Sequence, residues 1–315
     1  MNSLAGYGVL FSSIRGCFSK EFVKEIELGR SVLLENLHGE ELSLSYSSGN
    51  IDAMYFINSV DYKRNNPTVI MLLGMAESYE RVGIFHRKED CIILNYTKRG
   101  YNVLLWNYPG VSKSTGKPSL ENVLDACDTV IGYILQFVPE KHIILHGHSM
   151  GGGISLMYAA RKHKHTQKLI HPQLNVCCDR SFNNLSSAII ELMKQEIPLI
   201  GNISGLALGI FVNSICGWNL NSFENWCLPE RKGYYWCMHH LNDEMIPDKS
   251  SIAYSLRKNE RDIDNIIELS TDNCYTIGYS LVDFNEFLYN PSHERSLTPK
   301  EWEIHEYHIK KALSR

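Results

Sequence analysis

One string of ten residues limits what this 315-residue chain can fold into. Residues 144–153 read ILHGHSMGGG, and ISLMYAARKH follows. The apolar run before Gly147 has the character of a strand buried on both faces, and the stretch after Ser149 that of a helix. Between them, Gly147-His148-Ser149-Met150-Gly151 forms a G-x-S-x-G pattern in the strand–turn–helix setting that gives the pattern meaning. A serine hydroxyl is a weak nucleophile and must project from a sharp turn to meet a base. Such a turn strains the backbone at Ser149, so the residues two positions away on either side must be tiny. Gly147 and Gly151 meet that demand. The helix start also offers free N–H groups and a positive dipole end to a developing negative charge. The reading is that Ser149 is a nucleophile. The competing reading is a glycine-rich turn in a non-catalytic α/β protein.

The rest of the chain fits an α/β layered fold. Alternating runs on either side of Ser47–Asn50 predict a β-hairpin. Buried strands are predicted at Thr68–Gly74, Tyr101–Gly110, His142–Ser149, Leu174–Ser181 and Lys232–Asp243, with a sixth at Cys274–Ser280. Helical stretches fall at about 79–100, 119–138, 150–163 and Pro299–Leu313, with Gly100 as a C-cap. An antiparallel hairpin followed by alternating strands and helices predicts a mainly parallel sheet with helices on both faces. Residues 1–40 read as a helical lead-in and 41–315 as one domain. Within that domain, about 182–231 form a helical insertion ahead of the strand 232–243.

Composition narrows the function classes. Lys and Arg number 31 against 35 Asp and Glu, a net charge of −4, which argues against a nucleic-acid footprint or a polybasic membrane patch. The nine cysteines are odd in number and scattered, with no C-x-x-C pair, which predicts reduced thiols in a cytosol-like, cytoplasmic setting. The N-terminus lacks the basic and apolar regions of a signal peptide. The most apolar later stretch, Ile203–Trp218, is too short and too polar to span a bilayer, so no transmembrane segment is expected. The loop Gly110–Pro118 is one residue too long between its glycines for a phosphate loop, and Pro118 stands where Ser or Thr is required. No nucleotide cofactor is expected. His239 and His240 neighbour Cys237, but adjacent residues of a strand face opposite ways, so no metal site is expected there.

Three segments carry a resemblance to a known family. GHSMGG resembles the nucleophile segment of α/β-hydrolases. LLGMAESYE (Leu72–Glu80) sits where that family places its oxyanion loop, and NYPGVSKSTGKPS (Asn107–Ser119) resembles the stretch after the next strand in serine hydrolases. The likeness runs over about residues 45–310 and is close to the branch that includes protein depalmitoylases and uncharacterised bacterial hydrolases. It implies an α/β-hydrolase fold and a metal-free, cofactor-free hydrolase. It also implies an oxyanion hole made by the backbone N–H groups of Met75 and Met150, with Ala76 as the alternative to Met75. The family often has His-Gly at the loop start; here Leu73 precedes Gly74.

The same resemblance orders a triad Ser, then Asp or Glu, then His along the chain. The acid loop is matched by NDEMIP, giving Asp243, with Glu244, Asp248 and Asp179 as rivals. Three histidines follow Asp243. His305 and His308 lie three apart in the closing helix, where packing or surface roles are expected, whereas His293 lies in the Pro/Ser-rich loop YNPSHERSLTP, which can reach the serine. His148 is expected to be structural, with its side chain pointing away from the site. The function expected is cleavage of an acyl ester or thioester through Ser149, His293 and Asp243. The insertion carries Leu185, Ile189, Leu192, Ile197, Leu206, Leu208, Ile210 and Phe211, for most of which packing against the sheet is expected. Its apolar excess also suggests a small-molecule, lipid or acyl-protein substrate and peripheral membrane contact. The rival is a binding or effector protein on the same fold with a broken triad.

Overall fold

The strand-forming runs owe their state to continuous Val, Ile, Leu and aromatic residues, which suit a sheet covered on both sides. In the computed structural model, residues 20–75, 77–82, 91–196, 201–210, 212, 217–271, 276–279, 286–289 and 292–315 are described. Helix α1 spans Lys20–Glu35, followed by strands β1 (Glu40–Tyr46), β2 (Gly49–Phe56) and β3 (Thr68–Leu72). Short helices α2 (Tyr79–Val82) and α3 (Ile92–Thr97) lead to β4 (Asn102–Trp106) and α4 (Leu120–Ile134). Then come β5 (Ile143–His148), α5 (Met150–Ala159) and β6 (Asn175–Asp179). Three helices follow, α6 (Leu185–Glu196), α7 (Gly201–Ile210) and α8 (Ser222–Trp226), before β7 (Tyr235–His239) and α9 (Ile252–Lys258). The chain closes with β8 (Ile266–Glu268), β9 (Thr276–Tyr279), β10 (Glu286–Tyr289) and α10 (Pro299–Leu313).

Eight strands form one sheet in the order β1-β2-β4-β3-β5-β6-β7-β8. The β1–β2 and β2–β4 pairs are antiparallel and the others parallel. The two-residue turn Ser47-Ser48 closes the hairpin, pairing Tyr46 with Gly49. Alternate residues of each strand feed two cores. On one face Ile70, Leu72, Leu104, Trp106, Leu145 and Val176 pack with α4, α5 and α9. On the other, Val69, Met71, Val103, Leu105, Ile144 and Trp236 pack with α1, α3 and α10. Each buried aliphatic side chain contributes about 1.5–3 kcal/mol. The start of α10 is fixed by a capping box in which Thr298 accepts from Glu301 N–H and the Glu301 carboxylate accepts from Thr298 N–H.

Two expectations are corrected. The sixth strand expected at Cys274–Ser280 is present in its described part as β9, but it pairs antiparallel with β10 in a separate two-stranded sheet instead of joining the main one. The place beside β7 is taken by β8, three residues long and preceded by the polar run Asn259–Asn265, too short for the apolar-run signal to register. The helix expected over 79–100 is two short pieces among its described residues. The lead-in helix α1 lies within the expected 1–40, of which 1–19 are outside the described residues. The helices α6, α7 and α8 fall where the insertion was expected. Leu185 and Ile189 pack on the core, but Leu206, Leu208 and Ile210 are exposed rather than packed; Ile197 and Phe211 are outside the described residues. Among the described residues no helix is long and apolar enough to cross a membrane. Cys91, Cys127, Cys177, Cys178, Cys227 and Cys237 are free; Cys17, Cys216 and Cys274 lie outside the described residues.

Candidate active site

In open α/β sheets, the crevice for a ligand lies at the carboxyl ends of the strands where the strand order reverses. Here the chain passes from β4 over β3 to β5, so the reversal lies at β3 and β5. The loops leaving those two strands hold Gly74–Ser78 and Ser149.

Ser149 lies between β5 and α5 with φ 53° and ψ −118°, backbone that a side chain adopts only under strain. Its neighbours explain how that strain is held. Ser149 N–H donates to Asp179 O at 2.9 Å, and Ser181 Oγ donates to Ser149 O at 2.8 Å. A Cβ at Gly147 would stand 2.3 Å from Gly151 O, so the spacing of the two glycines is a steric requirement of the turn. Met150 is the first residue of α5, where an N–H has no acceptor within the helix. Met75 follows Gly74 on the loop after β3, its side chain half exposed; Ala76 lies outside the described residues.

Asp243 and His293 meet. His293 Nδ1 lies 2.9 Å from both carboxylate oxygens of Asp243, and both residues are buried. Asp243 Oδ1 also accepts N–H bonds from Met245 at 2.9 Å and Ile246 at 2.7 Å. Burial disfavours its charge, but the bond to His293, the charge of that ring, the Ile246 N–H and Arg180 together outweigh burial and hold its carboxyl below the usual range. The rival acids are engaged elsewhere. Glu244 accepts the backbone N–H of His293 at 3.3 Å rather than the ring. Asp248 lies 3.0 Å from His239 Nε2, and Asp179 is paired with Arg180.

The rival histidines belong to the other core. His305 Nε2 bonds Tyr96 Oη at 2.7 Å and its Nδ1 accepts from Trp236 Nε1 at 3.1 Å. His308 Nδ1 bonds Tyr234 Oη at 2.8 Å. Burial pushes His305 well below its ordinary value and His308 down to about 4, so both are neutral packing residues. His240 Nδ1 accepts the Asn242 N–H at 3.1 Å.

His148 departs from expectation. Rather than pointing away, its ring lies 4.8 Å from that of His293, centre to centre, and its Nε2 donates to His293 O at 2.9 Å. Its Nδ1 faces Glu77 at 3.6 Å, and Glu77 Oε2 accepts the Gly74 N–H at 2.5 Å. Burial opposes charge on both groups, yet each stabilises the other. His148 is raised to about 9 and Glu77 lowered to about 2. The loop after β3, the serine turn and the His293 segment are thus joined through one ion pair. Sequence reasoning missed Glu77 as a site residue; the available signal was an acid three residues after Gly74 in a short loop.

Among the described residues, one trio brings metal-ligating atoms within 4.8 Å of one another: His146, Cys177 and His305. Tyr96 Oη lies 2.5 Å from His146 Nδ1, so both histidines already bond one hydroxyl. Burial holds the Cys177 thiol well above its ordinary value, whereas a metal needs the thiolate. The donor set fits a hydrogen-bonded core better than an ion.

The sheet order, with a strained serine turn after β5, is that of the α/β-hydrolase fold. Residues 67–171 match the family model described as alpha/beta hydrolase fold. A phosphatidylserine lipase, ABHD16A of Bos taurus, is 31% identical over 178 residues, covering 53% of this chain and 28% of its own length. An uncharacterized protein of Caenorhabditis elegans is 31% identical over 130 residues, covering 40% of this chain and 24% of its own. This chain therefore spans about a quarter of the length of these curated relatives. The crystal structure of an alpha-beta hydrolase from Vibrio vulnificus superposes with a TM-score of 0.59 at 18% identity, covering 91% of this chain and 86% of that one; it bears on the fold alone.

Proposed function

We propose that this chain is a serine hydrolase that cleaves an acyl ester, with a hydrophobic acyl group as the favoured substrate and a thioester as the close variant. The observation that carries the reading is the Asp243–His293 pair at 2.9 Å, held against the residue before a strained serine. Ser149 Oγ attacks the carbonyl carbon while His293 takes its proton. Asp243 accepts the Nδ1–H bond, fixes the tautomer and stabilises the imidazolium. The N–H groups of Met75 and Met150 receive the oxyanion, and the positive end of α5 favours it. The imidazolium then protonates the leaving alcohol or thiol, and the acyl group stays on Ser149. A water, deprotonated by His293, releases the acid and restores the serine.

A lipid-like acyl chain is supported by two observations. The relative just described is a phosphatidylserine lipase, and Leu206, Leu208 and Ile210 on α7 are exposed. In this reading, 41–315 form one hydrolase domain and the helices of the 182–231 insertion shelter the acyl chain.

The test is fluorophosphonate labelling of wild type, Ser149→Ala and His293→Ala, followed by turnover of esters of rising chain length. Labelling confined to the wild type, with turnover rising with chain length, is the expected result. Folded wild-type protein that neither labels nor turns over any ester would favour a binding protein on this fold.

A further inference from the structure

Arg180 follows β6 directly and is buried, with φ 45°, a left-handed conformation unfavourable for a long side chain. All three of its guanidinium nitrogens are engaged. Nε and Nη2 donate to the two carboxylate oxygens of Asp179 at 2.7 Å each. Nη1 donates to Arg295 O at 2.6 Å and to Ser292 O at 3.3 Å. Those two carbonyls bracket His293. The same corner also holds the serine, because Asp179 O accepts the Ser149 N–H and Ser181 Oγ binds Ser149 O. Residues 179–181 therefore grip the backbone of both Ser149 and the His293 segment, which are otherwise 144 positions apart in the chain.

From this geometry, and resting on the triad reading above, we infer that Arg180 is a positioning residue for the general base. Asp179, a rival for the triad acid in the sequence, instead fixes the guanidinium plane. The fixed plane aims Nη1 at the backbone on either side of His293, so that the ring keeps its place between Asp243 and Ser149. The planar fork is essential to this role. A lysine ammonium is a single point and cannot engage a carboxylate side-on while reaching two carbonyls beyond it. The carbonyl of His293 itself is taken by His148, so three carbonyls of the segment 292–295 are held by cationic side chains. The base segment is positioned through its backbone, which leaves the His293 ring free to exchange its proton.

The experiment compares wild type with Arg180→Lys, Arg180→Gln and the double variant Asp179→Asn/Arg180→Gln. The double variant avoids stranding a buried carboxylate and keeps the question open if Arg180→Gln fails to fold. Steady-state kinetics on a soluble ester and hydrogen exchange over 292–297 are read on each folded variant. A reacting group displaced by about 1 Å loses on the order of 100-fold in rate. The expected result is a kcat lowered about 10- to 100-fold, KM within about threefold, and faster exchange across 292–297. Arg180→Lys should be as slow as Arg180→Gln, although it keeps the charge. Unchanged exchange, wild-type kcat in a folded variant, or recovery by lysine would each overturn the inference. Turnover that survives in Ser149→Ala would instead overturn the triad reading, and the exchange result would still show whether Arg180 holds the segment.

Discussion

Replacing Gly151 with alanine tests how closely the nucleophile turn must approach the neighbouring strand. Gly151 lies in the first turn of α5, directly against the end of β3. A Cβ there would stand 2.0 Å from Leu72 O, 2.5 Å from Leu72 C and 2.8 Å from Leu73 O. All three are backbone atoms, so none can swing aside. Reaching even 3.0 Å requires the helix start and the strand end to separate by 3.0 − 2.0 = 1.0 Å. That gap opens between the Met150 N–H and the Gly74–Met75 segment, the two halves of the proposed oxyanion hole. Overpacking of this kind costs about 1–3 kcal/mol of stability. A misplacement of about 1 Å costs on the order of 100-fold in rate, or about 2.7 kcal/mol of barrier. The assay is kcat/KM on a short soluble ester, with thermal unfolding measured in parallel. Gly132→Ala is the control, because its added Cβ meets nothing within 4 Å on the exposed side of α4 and should stabilise by about 0.5–1 kcal/mol. If Gly151→Ala folds cooperatively and keeps kcat/KM within about threefold of wild type, the steric reasoning is wrong.

Three further outcomes are expected. Asp243→Asn should lower kcat by about 10⁴-fold with little change in fold, since an amide no longer stabilises the imidazolium; a loss of under about tenfold would point to another acid. The Glu77–His148 pair sets a pH signature. His148 is raised from 6.5 to about 9, so its contribution is complete below pH 6.5 and lost as pH rises through 9. Glu77 is lowered from 4.5 to about 2, so its contribution is complete above pH 4.5 and lost as pH falls through 2. The Tm advantage of wild type over His148→Gln should be flat from pH 4.5 to 6.5 and shrink on both sides; an advantage that grows above pH 6.5 contradicts the pairing. Finally, Leu206→Ser, Leu208→Ser and Ile210→Ser combined should shift stability by no more than about 0.5 kcal/mol per site, because these side chains are exposed. The combined variant should keep turnover of a soluble ester and lose turnover of a long-chain lipid ester in vesicles. Equal turnover on both would remove α7 from the lipid reading.

Much of this fold was legible because its central strands are continuous apolar runs. Val69, Leu104, Ile144 and Val176 announce burial on both faces without help from distant sequence. The serine turn was legible for a steric reason, since only glycine fits at 147 and 151. The strand β8 was not, because Ile266–Glu268 carries too few residues to show a period. The placement of β9 was not either, because an apolar run names a strand but not its partner. The long-range contacts of Glu77, His148 and Arg180 were hidden for a further reason: Glu77 meets His148, His148 meets His293 and Arg180 meets Arg295 across large separations in the chain, and that proximity is set by the sheet order. Of the buried polar contacts at the site, only the Asp243–His293 pair had a sequence handle, through chain order and strand-end position.

The grip of residues 179–181 on both the serine turn and the His293 segment also bears on how the chain becomes competent during folding. Contacts of this separation form late, because closing a long loop must precede any gain from its ends meeting. The bond from His148 to His293 O joins positions 145 residues apart, and that from Arg180 to Arg295 O joins positions 115 apart. The segment they capture is followed by α10, whose Trp302 and Ile309 complete the second core. A growing chain of this sequence therefore carries its serine turn long before it carries His293, the proposed base. The complete set of contacts requires residues 292–295 to meet both His148 and the corner at 179–181. Reactivity of Ser149 toward a fluorophosphonate during refolding would then report that meeting, whereas circular dichroism would report the earlier appearance of helices.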